Sequence, residues 1–150
     1  MNKKKYLYSV TFLLLLFAIY NLVWFFARYN YFAKYEKEFP LVADSGKKIY
    51  VDSDGYNYSV AMPRYLSWNG NLSIVEKDFQ YALIIWKKPF EDTYKTGILF
   101  NGYNGITNQI ELTDSKTADY PDCQKIVDEN QLLIDQLYDR ANTVWNLGLQ

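Results

Sequence analysis

Phe79-Gln80-Tyr81-Ala82-Leu83-Ile84-Ile85-Trp86 reads as a strand with two apolar faces. Successive side chains of a strand point to opposite sides of its sheet. Phe79, Tyr81, Leu83 and Ile85 therefore share one face, and Ala82, Ile84 and Trp86 share the other. A strand of this kind is normally central and covered on both sides.

Outward from it the period stays at two. Tyr56, Tyr58, Val60 and Met62 alternate with Asn57, Ser59 and Ala61; Tyr94, Thr96, Ile98 and Phe100 alternate with Lys95, Gly97 and Leu99. Ile106, Ile110 and Leu112 alternate with Thr107, Gln109 and Glu111. Such alternation marks half-buried strands. Asp54-Gly55, Asn69-Gly70, Asn101-Gly102 and Asn104-Gly105 fall between runs, where residues tolerant of positive φ make tight turns. The pattern predicts strands near 48–52, 56–62, 72–76, 79–87, 93–101 and 106–113. Short turns make neighbours antiparallel.

A helical period takes over after residue 119. Asp119 is the expected cap, Pro121 suits the first turn and Gly148 marks the stop. Ile126, Val127, Leu133, Ile134, Leu137, Tyr138, Ala141, Val144 and Trp145 form one apolar face, while Lys125, Asp128, Glu129, Gln136, Asp139 and Arg140 form a wet one. That face is expected to pack on the sheet, with Leu137 and Trp145 in the core. Cys123, on the apolar side, reads as a buried small residue.

At the other end, the run from Tyr6 to Ala27 carries no charge, and Lys3, Lys4 and Lys5 stand directly before it. As a helix it spans roughly 33 Å, enough for a hydrocarbon core of about 30 Å. The run ends Trp24-Phe25-Phe26-Ala27, without the small-residue site of a cleaved signal, so a retained signal-anchor is expected. Lys3, Lys4 and Lys5 before the span are nearly balanced by Arg28, Lys34 and Lys37 after it. The lysines' place directly against the span in a very short tail, and the translocation of long following domains largely regardless of charge, favour a C-terminal domain outside the cytoplasm. Phe25, Tyr29, Phe32, Tyr35 and Phe39 continue one helical stripe up to Pro40, which ends it.

The expected organisation is a basic tail (1–5), a transmembrane helix (6–27), a juxtamembrane helical stem (28–40) and an extracytoplasmic domain (41–150). The fold class is α+β: the N-terminal transmembrane helix, then a mostly antiparallel sheet of about five or six strands packed by a C-terminal amphipathic helix.

Composition narrows the chemistry. Histidine is absent and Cys123 is the lone cysteine. The usual zinc ligand, general base and partner of a cysteine nucleophile are therefore missing. Beyond the three lysines of the tail, 13 basic face 17 acidic residues, which is no footprint for nucleic acid. Asp52-Ser53-Asp54-Gly55 resembles a calcium loop but lacks the third acid and the later glutamate, and fits a hairpin turn better. Ser45-Gly-Lys-Lys48, Ser67-Trp-Asn69 and Lys95-Thr96-Gly97 match the penicillin-binding motif set in order. The first lies in a glycine-containing loop, where the mechanism needs a helix start. No catalytic, metal or cofactor residues are expected.

What remains is surplus apolar surface. One closing helix covers one face of the 79–86 strand, so Ala82, Ile84 and Trp86, with Phe32 and Phe39 of the stem, form the candidate partner-binding face. The expected function is a membrane-anchored, non-enzymatic binding or accessory module. Its partners are the bilayer and a protein of the membrane or envelope. The alternatives are a carboxylate-based envelope hydrolase and a cytoplasm-facing subunit of a membrane complex.

Overall fold

The computed structural model describes residues 3–37, 39–42, 47–65, 67–87, 91, 93–101 and 107–150. A long apolar helix is followed by an antiparallel open sheet and a C-terminal helix, an α+β arrangement. Helix α1 (Lys3–Arg28) runs through a π-helical turn (Tyr29–Ala33) into the short α2 (Lys34–Glu36). It is long and apolar enough to cross a membrane. It ends before Pro40, where the Phe39 N–H donates to the Glu36 carbonyl at 3.0 Å.

The sheet is a meander in chain order. A two-residue strand β1 (Leu41–Val42) edges β2 (Lys47–Val51), and β3 (Asn57–Ala61), β4 (Asn71–Val75), β5 (Tyr81–Lys87), β6 (Tyr94–Asn101) and β7 (Thr107–Leu112) complete it. Every neighbouring pair is antiparallel. The six longer strands match the expected ones to within a residue or two. β5 starts later than its apolar run, because Phe79 sits at φ 56° in the preceding turn and is exposed. The turn at Asp54-Gly55 forms, with Gly55 at φ 89°. Those expected at Gly102 and at Asn104-Gly105 lie outside the described residues, as do Ser45 and Gly46.

The closing helix differs from its expected form at three points. A 3-10 turn (Pro121–Cys123) leads into α3 (Gln124–Glu129), and α4 (Gln131–Trp145) begins only after a break at Asn130. The Asn130 amide donates to the Ile126 carbonyl at 2.8 Å, the local competition with helix bonding that asparagine favours. Asp119 is not the cap; its N–H donates to the Glu111 carbonyl, beside a bridge between Leu112 and Ala118. The helix stops at Asn146, at φ 52°, two residues before Gly148. Asn142 then holds the tail through two 2.8 Å bonds with the Leu149 backbone.

Tyr58, Val60, Leu72, Ile74, Leu83, Ile85, Ile98, Ile110 and Leu112 make the sheet's side of the core. Ile134, Leu137, Tyr138, Ala141 and Trp145 of α4 lie against them, all buried. Cys123 is half-buried at the edge of this cluster. Phe32 also belongs to the core, 2 % exposed. The stem stripe therefore divides: Phe25 and Tyr29 are exposed, while Phe32, Tyr35 and Phe39 pack against the domain. The extra residue of a π turn rotates the later part of a helix by about 100°, and the division falls at that turn.

Candidate functional site

Register assigns each side chain to a face. Ile74 pairs with Leu83, Leu83 with Ile98, and Ile98 with Ile110. These share the side covered by α4 and the stem. Val75 pairs with Ala82 and Ala82 with Leu99, while Ile84 lies between Ser73 and Gly97. Trp86 pairs with Lys95. These side chains share the opposite side, and every sheet residue of the core cluster comes from the first.

Ala82, Ile84 and Trp86 thus sit together on the second face, as expected of a period-two strand. Phe32 and Phe39 do not join them. Phe39 stacks on Tyr50 with centroids 5.8 Å apart and lies 6.4 Å from Trp145. Tyr50 is paired with the core residue Tyr58. The Tyr35 hydroxyl bonds that of Tyr94 at 3.0 Å, and the Lys87 ammonium lies between the Tyr31 and Tyr94 rings. The stem is a second cover for the helix side of the sheet, beside α4. The strand holding Ile49, β2, pairs within the sheet beside β3 and does not fold over the second face.

The second face carries a narrow apolar strip. Val75, Ile84, Trp86 and Leu99 are half-buried and Ala82 is buried. Trp86 lies across Gly97: a Cβ there would sit 3.0 Å from the Trp86 ring and 3.1 Å from the Ile110 carbonyl. Glycine leaves that room. The border is polar, with the Ser59 and Ser73 hydroxyls bonded at 2.7 Å and Lys95 paired with Glu111.

The acidic turn at Asp52 has a different partner from a metal. Asp52 Oδ1 accepts the N–H groups of Asp54 and Tyr56, each at 2.9 Å, and Oδ2 accepts the Tyr58 hydroxyl at 2.8 Å. Arg140 of α4 donates to Asp52 and Asp54 at 2.7 Å each, its guanidinium 3.8 Å from the Tyr56 ring centroid. Burial opposes ionisation of Asp52, but Tyr58, the two N–H groups and Arg140 outweigh it and hold the carboxyl below its usual range. Burial pushes the Tyr58 phenol up to about 12. The cluster ties α4 to the β2–β3 hairpin. Among the described residues no group of three His, Cys, Asp or Glu is placed to hold a metal.

A cleft of about 740 Å³ opens between stem and helix end, lined by Lys34, Tyr35, Phe39, Tyr50, Val144 and Trp145. A smaller one of about 260 Å³ holds a single acid, Asp114. Neither brings two carboxylates together. Of the penicillin-binding look-alike residues, Thr96 bonds Tyr138 at 2.6 Å and Ser67 accepts the Asn69 N–H. Both bonds are structural.

One contact had no forecast. The Tyr65 hydroxyl in the β3–β4 loop donates to Asn21 of α1 at 2.7 Å, and the Trp24 indole donates to the Arg64 and Ser67 carbonyls at 3.3 and 3.1 Å. The sequence signal was Asn21 itself, an amide inside an uncharged run. Comparison with protein-family models, curated proteins and solved structures finds no match for this chain.

Proposed function

We propose that this protein is a single-pass, membrane-anchored accessory module, non-enzymatic, whose domain faces outward and binds a protein partner through the second face of its sheet. The observation that carries this is the division of the sheet. Two helical segments cover one face, and the strip Val75, Ala82, Ile84, Trp86 and Leu99 lies on the other with a polar border. An apolar strip rimmed by polar residues is the anatomy of an interaction surface. Phe32 and Phe39 support the stem and are not part of it.

The chemistry agrees. With no histidine in the chain, the carboxylates are the first place to look for acid–base catalysis. Asp52, Asp54, Glu111 and Asp135 each face a lysine or arginine, which counts against these four as the acid pair of a hydrolase. In this reading the apolar helix is the anchor, and the lysines abutting it, together with the long domain that follows, favour the outward orientation.

The test is topology. In a Cys123→Ser background, a cysteine replacing Asp78 in the exposed β4–β5 turn should react with a membrane-impermeant thiol probe in intact cells. Reaction only after lysis would favour the cytoplasm-facing subunit.

A further inference from the structure

The domain is fastened to α1 at a height where the bilayer must also be. Tyr65 bonds Asn21, and Trp24 donates to the carbonyls of Arg64 and Ser67. The Tyr20 ring meets Tyr65 and Trp68 edge-on at 6.4 and 6.0 Å, and the Arg28 guanidinium lies 5.4 Å from the Trp24 ring centroid.

Helix rise converts these contacts into depth. Asn21 is seven residues before Arg28, the first charge after the apolar run, hence about 10 Å further into the membrane at 1.5 Å per residue. The polar layer on each side of a bilayer is only about 5–7 Å thick. From the other end, Asn21 lies about 24 Å beyond Lys5, short of a hydrocarbon core of about 30 Å. Both counts put Asn21 at or inside the hydrocarbon boundary on the domain's side. An amide there needs a partner, and Tyr65 together with the Phe17 carbonyl supplies it.

From this we infer that the described residues of the β3–β4 loop, Arg64, Tyr65 and Ser67 to Asn69, form a second membrane contact, seated in the interfacial layer of the bilayer that α1 crosses. Its chemistry fits that layer. Tyr and Trp rings prefer the boundary between apolar and wet regions, and Tyr65 is 49 % exposed beside the helix. Arg28 and Arg64, both exposed, stand at the level of lipid phosphates, which arginine binds. The domain is then held flush against the membrane in one orientation. This inference rests on the membrane reading of α1 made above.

The test uses the full chain with Cys123→Ser in vesicles of phosphatidylcholine and phosphatidylglycerol. A nitroxide is placed in turn at Leu14, Asn69 and Asp78, and its collisions with oxygen and with a water-soluble nickel chelate are measured. Leu14 should be shielded from the chelate and Asp78 open to it. Asn69 should be several-fold less open to the chelate than Asp78 and more open to oxygen. With Leu14 shielded, a label at Asn69 as open as that at Asp78 overturns the interfacial loop. A chelate-exposed Leu14 instead overturns the membrane reading beneath it.

Discussion

The Phe32 ring fills the space that a side chain on Gly70 would need. A Cβ at Gly70 would lie 2.8 Å from two Phe32 ring atoms and 2.6 Å from the Ala61 carbonyl oxygen. The stem between α1 and the sheet is therefore part of the domain's core, and the folded unit starts within the helix, ahead of Leu41.

Phe32→Ala should cost about 3–5 kcal/mol, the usual range for a buried phenylalanine. Urea unfolding of a soluble fragment from Tyr29 onward measures it. A fragment from Leu41 onward lacks Phe32, Tyr35 and Phe39, and should unfold at markedly lower urea. Equal midpoints for the two fragments would show that the stem is dispensable.

Gly70→Ala should destabilise the same fragment by about 1–3 kcal/mol, the range for overpacking. The loss should shrink when Phe32→Leu is present, because one of the two clashes is then relieved. Simple additivity of the two changes would mean that they do not share this space.

Acid should weaken the hairpin anchor in a defined way. Asp52 has a folded-state pKa below its ordinary 3.8. Its contribution is therefore present above the ordinary value and disappears as pH falls through the lowered one. The stability gap between wild type and Asp52→Asn, open at neutral pH, should close on acidification. A gap that persists in strong acid would assign the stabilisation to hydrogen bonds the amide also makes.

Alkali acts through the buried phenols. Burial raises Tyr58 and Tyr94 from 10.0 to about 12. Their stabilisation is present below pH 10 and is lost as pH rises through about 12. Burial also raises the Tyr138 phenol, so phenolate absorbance should show three late-ionising tyrosines, Tyr58, Tyr94 and Tyr138, whose titration coincides with loss of the fold.

The strands were legible because alternation is local: Tyr58 and Val60, or Thr96 and Ile98, declare a face without reference to the rest of the chain. Leu137 and Trp145 were legible as core for the same reason. The break at Asn130 was not, since one residue's side-chain bond outweighed a continuous apolar pattern. The grouping of Phe32 and Phe39 with Trp86 failed for a different reason. An aromatic stripe on a stem shows that it packs, but the side of the sheet it packs on depends on how the chain enters the fold. Arg140 meeting Asp52 and Asp54, more than 80 residues away, has no local signal.

The second face can be probed most directly at Ile84, which lies on it beside Gly97 and has no place in the core cluster. The measurement is the mass of the full-length protein's complex after gentle solubilisation from its native membrane, for wild type and for Ile84→Glu, together with the melting temperature of each. The result expected is a complex larger than one chain for wild type and its loss in the variant, at nearly unchanged melting temperature. A variant that keeps the complex, or that loses the fold along with it, would contradict a partner-binding role for this face.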